Sequence, residues 1–138
     1  LLTKVILTKE NEGKHFAIVD AAMNDLIRPA LYDAWMNISA ITQKDSKAKP
    51  HNYDIVGPIC ETGDFLGKER MLALSAGDLL AVTEAGAYGF TMASNYNTRG
   101  RAAEVLLTDE SDADSARLIR DRESEEMLYA LEINHLIP

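Results

Sequence analysis

The sequence predicts a mainly β fold, either a sandwich or a closed barrel, with a few short helices. Short apolar runs recur along the 138 residues, and each is bounded by Gly, Asp, Asn or Ser. Helical and strand patterns do not alternate regularly, which argues against a parallel α/β sheet. The length corresponds to one domain, so we expect residues 1–138 to form a single domain.

Six runs are predicted to be strands. The first two are Thr3–Thr8 and His15–Val19, and the turn-forming residues Glu10–Gly13 between them predict a hairpin. The later strands are predicted at Tyr53–Val56, Asp78–Thr83, Ala102–Thr108 and Arg117–Arg120.

The first predicted helix follows the second strand. Asn24 and Asp25 can cap a short turn that leads into a helix over Ala30–Trp35. We expect this helix to begin at Pro29, because a residue that precedes proline avoids helical geometry.

Two further helices are predicted near the C-terminal end. Aromatic and methionine side chains recur every four residues and predict a helix over Ala87–Tyr96. Ser124–Leu131 is amphipathic and has acidic residues in its first turn, where the helix dipole favours them. The charged segments 43–50 and 109–115 are predicted to be solvated loops.

Composition excludes several classes of function. The net charge of −8 argues against binding to nucleic acid or to an anionic membrane. The single cysteine excludes an internal disulfide, and no run approaches the ~20 apolar residues of a membrane-spanning helix, so we expect a cytoplasmic protein. The chain begins at Leu1 without an initiator methionine, and we therefore expect a fragment of a longer protein.

The segment Gly57–Gly67, GPICETGDFLG, is the best candidate for chemistry. It carries the only cysteine, Cys60, with Glu61 beside it and Asp64 close by. A lone cysteine is usually a buried small hydrophobe, but this glycine-rich, polar setting favours a functional thiol. No histidine stands in a recognisable relation to the thiol, which favours proton donation over nucleophilic attack, and no zinc-ligand spacing is present.

Other polar residues suggest contacts with a ligand. Glu61 and Asp64 could equally be solvated carboxylates or converge on an ammonium group. Arg28 and Tyr32 could bind a carboxylate, although spacing alone favours a surface arginine over an aromatic ring. Glycines flank Tyr88 in EAGAYG, where a turn can hold one aromatic hydroxyl against a ligand. Together these residues suggest a ligand with a carboxylate and an amine.

Four strings of this sequence resemble the C-terminal part of the bacterial diaminopimelate decarboxylase family. They are AAMNDLIRPALYDAW, GPICETGDFLGKER, GDLLAVTEAGAYGFTMASNYN and RGRAAEVLL. The resemblance runs from about Leu2 to Glu132 and departs from the family at Thr62, where serine is usual.

The resemblance implies a fold and an activity. These enzymes depend on pyridoxal 5′-phosphate and have an N-terminal (β/α) barrel and a C-terminal β-barrel. They convert meso-diaminopimelate into L-lysine and CO2 as homodimers whose active sites are shared across the interface. We therefore expect residues 1–138 to be a Greek-key-like β-barrel, a fragment of a larger two-domain enzyme from which the N-terminal barrel is absent.

The resemblance also implies roles for five residues. Cys60 matches the proton donor and Glu61 the residue that binds the distal amino group of the substrate, both across the subunit interface. Arg28 and Tyr32 match ligands of the distal carboxylate. Tyr88 matches a tyrosine that contacts both cofactor and substrate. The lysine that forms the Schiff base lies in the N-terminal barrel, so the fragment alone is expected to be inactive.

Two alternatives remain at this point. The first is an ornithine or arginine decarboxylase of the same superfamily. The second is a stand-alone β-barrel that binds a ligand or a protein without catalysis. Activity of the whole protein towards the three amino acids separates the members of the superfamily, and the gene upstream of Leu1 separates an enzyme from a binding module.

Overall fold

The computed structural model describes residues 1–42, 45, 47–108, 115–132 and 135. The chain divides into two compact units, Leu1–Ala93 and Ser94–Pro138. Most of the predicted loop at 109–115, and part of the one at 43–50, lie outside the described residues.

The first unit holds most of the secondary structure. Its strands are β1 (Leu2–Asn11), β2 (Lys14–Val19), β3 (Ile38–Thr42), β4 (Pro50–Val56), β5 (Phe65–Ala73) and β6 (Leu79–Val82). Its helices are α1 (Arg28–Tyr32) and α2 (Gly86–Gly89), the second followed by a 3-10 turn at Phe90–Met92. The second unit contains a 3-10 turn at Tyr96–Thr98, strands β7 (Glu104–Leu107) and β8 (Ala116–Arg120), and helix α3 (Glu125–Leu128).

The six strands of the first unit form one sheet in the order β3-β6-β1-β2-β4-β5. All neighbours are antiparallel except β2 and β4, which are parallel. Strand β6 returns to pair beside β1, as in a Greek key. The edge strands β3 and β5 approach each other, because a Cβ on Gly67 of β5 would lie 2.8 Å from Cδ1 of Ile38 on β3. The sheet is thus a nearly closed barrel, which confirms the predicted mainly β, Greek-key-like fold.

The hairpin between β1 and β2 forms as predicted. Asn11 pairs with Lys14, and the two residues between them turn the chain. Glu12 and Gly13 have φ values of 51° and 81°. Left-handed backbone at both turn positions matches the right-handed twist of the flanking strands, so this short connection fixes the register of the pair.

The barrel core is filled by alternate side chains of its strands. Leu26 and Met36, from the connection between β2 and β3, close it together with strand residues. The strand residues buried in this core are Val5, Ala17, Val19, Ile38, Tyr53, Ile55, Leu66, Leu80 and Val82. Burial of these apolar side chains is the main stabilising contribution to the barrel.

Strand β5 was not predicted, because a β-bulge disrupts its sequence pattern. Asp54 of β4 faces two residues of β5, Lys68 and Glu69. Oδ1 of Asp54 accepts a hydrogen bond from the N–H of Glu69 at 2.9 Å, and Oδ2 forms an ion pair with Nζ of Lys14 at 2.7 Å. Two neighbouring residues are therefore exposed, and the alternation expected of a strand is lost. The edge strand β3 was missed because only Ile38 is buried in it.

The predicted helices exist but are shorter or displaced. The helix expected over Ala30–Trp35 spans Arg28–Tyr32, with proline at its second position rather than its first. It ends because Asp33 has a left-handed φ of 52° and donates its N–H to the carbonyl of Arg28.

The other two helix predictions were too long. The single helix predicted over Ala87–Tyr96 is wrong, because Ala93 is extended and separates α2 and its 3-10 turn from the next turn. The helix predicted over Ser124–Leu131 is the single turn of α3. No helix among the described residues has the length and apolar composition needed to cross a bilayer.

The second unit is organised around one carboxylate, Glu123. Its oxygens accept hydrogen bonds from Nε of Arg101 at 2.8 Å, from the Arg101 N–H at 2.9 Å and from Nδ2 of Asn95 at 2.7 Å. The hydrogen bond from the Arg101 side chain is the largest of the interactions that lower the pKa of Glu123 from its usual 4.5 to about 2. Strands β7 and β8 pair beside this cluster within the unit, and their apolar side chains are exposed.

The stabilising contribution of Glu123 should depend on pH. Because the pKa is lower in the folded protein, the contribution is complete above pH 4.5 and is lost as the pH falls towards about 2. Carboxyl NMR should give a Glu123 midpoint near pH 2, and Glu123→Gln should reduce the acid-induced loss of stability. A midpoint near the usual 4.5 would contradict this prediction.

Candidate active-site loop

The loop 57–64 joins β4 to β5 and carries two of the predicted site residues. Cys60 is a free, exposed thiol, and Glu61 beside it is also exposed. The preceding Ile59 is buried. The chain therefore directs an apolar side chain inwards and presents the thiol and the carboxylate to the outside.

Hydrogen bonds within the loop hold it in successive tight turns. The N–H of Glu61 bonds the carbonyl of Ile59 at 2.8 Å, and the N–H of Asp64 bonds the carbonyl of Glu61 at 3.0 Å. At the ends of the loop, the N–H of Gly57 bonds the carbonyl of Asp64 at 3.1 Å. Because the turns are closed by the backbone, the positions of Cys60 and Glu61 are set by the loop itself.

Asp64 is a structural residue of this loop. It is 4% exposed, and its two oxygens accept hydrogen bonds from backbone N–H groups. Oδ2 accepts from Ile59 within the loop, and Oδ1 accepts from Met23 in the connection before α1, each at 2.7 Å. The sequence left two interpretations of Asp64 open, a solvated carboxylate or a carboxylate facing an ammonium group. Neither holds, because Asp64 is buried and both its oxygens accept backbone hydrogen bonds.

Gly57 is required by the close approach of that carboxylate. A Cβ at this position would lie 2.3 Å from Oδ2 of Asp64, which is far inside van der Waals contact. The glycine and the aspartate therefore fit together as one unit at the base of the loop.

We expect Asp64→Ala to lower the unfolding free energy of the full-length protein by about 3 kcal/mol, because one buried and one partly buried N–H donor lose their charge-assisted partner. Asp64→Asn keeps one acceptor oxygen and should lose about half as much. Urea denaturation measures both, with Asp121→Ala, an exposed carboxylate, as the control. Equal stabilities for Asp64→Ala and this control would contradict the structural role.

Arg28 and Tyr88 come together from two short helices. The guanidinium carbon of Arg28, at the start of α1, lies 5.8 Å from the ring centroid of Tyr88 in α2. This is a cation–π distance. Within the described residues no carboxylate forms an ion pair with Arg28, so its planar fork has no internal partner.

Tyr32 lies one turn after Arg28 on α1. Tyr32 is 62% exposed and Tyr88 is 61% exposed, so both hydroxyl groups face outwards. Among the described residues, Tyr32 and Cys60 make no hydrogen bond or ring contact. The arginine does lie over an aromatic ring, as spacing suggested, but the ring belongs to Tyr88.

The structure connects the two predicted groups of residues through Asp64. Its bond to the N–H of Met23 fixes the loop 57–64 against the segment that leads into Arg28. The loop that carries Cys60 and Glu61 is thus hydrogen-bonded to the segment before the helix that carries Arg28. The sequence did not indicate this link, because the donor is a backbone N–H, which every residue except proline has.

Comparisons with known proteins identify the family of this chain. Residues 1–86 match the family described as pyridoxal-dependent decarboxylase, C-terminal sheet domain. The chain is 63% identical over 130 residues to diaminopimelate decarboxylase from Pseudomonas aeruginosa, covering 94% of this chain and 30% of that protein. It is 57% identical over 132 residues to diaminopimelate decarboxylase from Vibrio cholerae, with 96% and 30% covered.

A solved structure is similar over nearly the whole chain. Diaminopimelate decarboxylase from Helicobacter pylori, complexed with L-lysine, matches with a TM-score of 0.85 and 42% identity, covering 98% of this chain and 32% of that one. The chain thus spans about 30% of the length of the curated relatives that it matches. The family match, together with the barrel fold, shows that the chain belongs to the pyridoxal-dependent decarboxylases and contains their C-terminal sheet domain.

Proposed function

We propose that residues 1–138 are the C-terminal domain of a diaminopimelate decarboxylase, which converts meso-diaminopimelate into L-lysine and CO2. The observation that carries this proposal is the exposed thiol–carboxylate pair, Cys60 and Glu61, on a loop locked against the segment before Arg28. The names of the relatives with 63% and 57% identity support the same reaction.

The proposed substrate carries a carboxylate and an amine at the end distant from the reaction. Arg28 offers a planar fork that matches a carboxylate, and Tyr32 can add a hydroxyl donor from the same helix. Glu61 suits the distal ammonium group. Ornithine and arginine lack a distal carboxylate, so either would leave Arg28 without a counter-charge and would be disfavoured.

Cys60 is proposed to complete the reaction. A thiol that reaches the substrate can give the proton on Sγ to the carbon that has lost CO2. The exposed position of Cys60 suits this task only if the substrate is held largely by another part of the protein. We therefore propose a homodimer in which Cys60 and Glu61 serve the active site of the neighbouring subunit.

The residues present fit a contact with pyridoxal 5′-phosphate at Tyr88. Its ring is 61% exposed, and the adjacent Gly86 has open space where a Cβ would stand, so a bound group can approach both. When bound, the cofactor supplies the electron sink for breaking the bond to the carboxylate. We propose that the lysine that holds it belongs to the remaining part of the longer protein, which would act in the cytoplasm.

The test uses the purified full-length protein with each of three substrates. We expect release of CO2 and formation of L-lysine from meso-diaminopimelate, and turnover of ornithine and arginine that is lower by orders of magnitude. Comparable turnover of ornithine or arginine would favour the related decarboxylases. No turnover of any substrate by a folded protein loaded with cofactor would favour a non-catalytic binding module.

A further inference from the structure

Arg70 of β5 is a buried cation away from the proposed catalytic residues. The residue is 6% exposed, and its guanidinium carbon lies 3.2 Å from the ring centroid of Trp35. Nε lies 2.8 Å from the point where a Cβ of Gly67 would stand. The guanidinium is therefore held between an aromatic face and a glycine, at the seam where β3 and β5 approach each other.

The charge of Arg70 has no partner in the described part of the chain. Nε is buried without a hydrogen-bond acceptor, and no described carboxylate forms an ion pair with the side chain. Loss of water around the group lowers the pKa of Arg70 from its ordinary range. A buried cation without a counter-charge is costly, so a partner from outside these residues is expected.

A cavity of about 160 Å³ opens beside this guanidinium. Pro29, Ala34 and Phe65 supply apolar wall, and the side chain of Lys68 adds a second cation. One water occupies roughly 30 Å³ of liquid, so the space accommodates a group of several heavy atoms.

We infer that this cavity is a carboxylate-binding site centred on Arg70. Trp35 covers one face of the guanidinium, which leaves the edge of its plane for an acceptor. A planar carboxylate fits that edge with two parallel hydrogen bonds.

The charges around the cavity limit which anion can bind. Arg70 and Lys68 contribute two cations to the lining, and Asp33 and Glu69 contribute two carboxylates, so its formal charge is zero. Binding therefore depends on direct contact with Arg70 and not on the net charge of the lining, which disfavours a dianion such as phosphate. The carboxylate can come from an acidic side chain of the full-length protein outside the described residues, or from a small carboxylate in solution.

The two sources are distinguished by NMR on full-length protein labelled with ¹⁵N-arginine. The Nε resonance of Arg70 is assigned by its loss in Arg70→Lys and followed as acetate is added, with acetamide as the neutral control. A saturable shift with acetate alone assigns the site to a small carboxylate. A resonance insensitive to acetate, with an Arg70→Met variant that is less stable than its control, assigns it to an internal acidic side chain.

Stability measurements test for an internal carboxylate partner of Arg70. With an internal carboxylate partner, Arg70→Met leaves that carboxylate unpaired and lowers the urea midpoint relative to Lys9→Met, which removes an exposed cation of β1. The site is overturned by an acetate-insensitive resonance together with an Arg70→Met midpoint that is equal or higher. Neither readout involves decarboxylation, so failure here is separate from failure of the proposed activity.

Discussion

Replacing Cys60 with alanine is expected to lower the kcat of the full-length enzyme about 100-fold or more, because a positioned proton donor typically contributes at least that factor. Binding of the cofactor should be nearly unchanged, since the thiol is exposed on the loop 57–64 and holds no part of the barrel together. Steady-state kinetics with meso-diaminopimelate and absorbance in the cofactor band measure the two quantities separately.

Two variants control for disturbance of the loop. Cys60→Ser keeps the size of the side chain with a much weaker acid and should also be slow. Thr62→Ala changes an exposed neighbour that has no proposed role and should retain nearly wild-type kcat. Wild-type turnover by Cys60→Ala would remove Cys60 from the reaction.

Arg28→Ala is expected to raise the KM for meso-diaminopimelate about 100-fold, because the proposed bidentate charge-assisted contact with the distal carboxylate would be lost. Arg28→Lys keeps the charge but not the planar fork, and its KM should fall between the two. The distal carboxylate is remote from the bond that breaks, so kcat at saturating substrate should change less than KM.

The contact between Arg28 and Tyr88 requires its own control. Because Tyr88 is itself proposed to contact the cofactor, Arg28→Ala could act by displacing its ring. If Arg28 acts by binding the substrate, Arg28→Ala should leave absorbance in the cofactor band nearly unchanged. An unchanged KM in Arg28→Ala would exclude Arg28 as the carboxylate ligand.

The parts of the fold that follow from local sequence pattern were predictable. The β1–β2 hairpin has turn-forming residues between two apolar runs, and both its turn and its pairing were found. Strand β5 was hidden because Asp54 stabilises a bulge that places Lys68 and Glu69 side by side. A bulge depends on the strand that lies opposite, and that information is not local in sequence.

The candidate site shows the same division between local and long-range information. Residue type was enough to single out Cys60 and Glu61, because a lone thiol beside a carboxylate among glycines is unusual. The buried role of Asp64 and the burial of the Arg70 guanidinium were not predictable. Both depend on groups distant in the chain, namely the N–H of Met23 and the ring of Trp35.

The fit between Gly57 and Asp64 has a consequence for changing substrate preference by directed evolution. The side chains at positions 60 and 62 project from a frame whose geometry they do not determine, so libraries at these two sites should remain largely foldable. Positions 57 and 64 should tolerate almost no variation in the same selection. Transfer of the loop 57–64 to an unrelated barrel would fail unless the recipient also has a backbone N–H donor in the place of Met23.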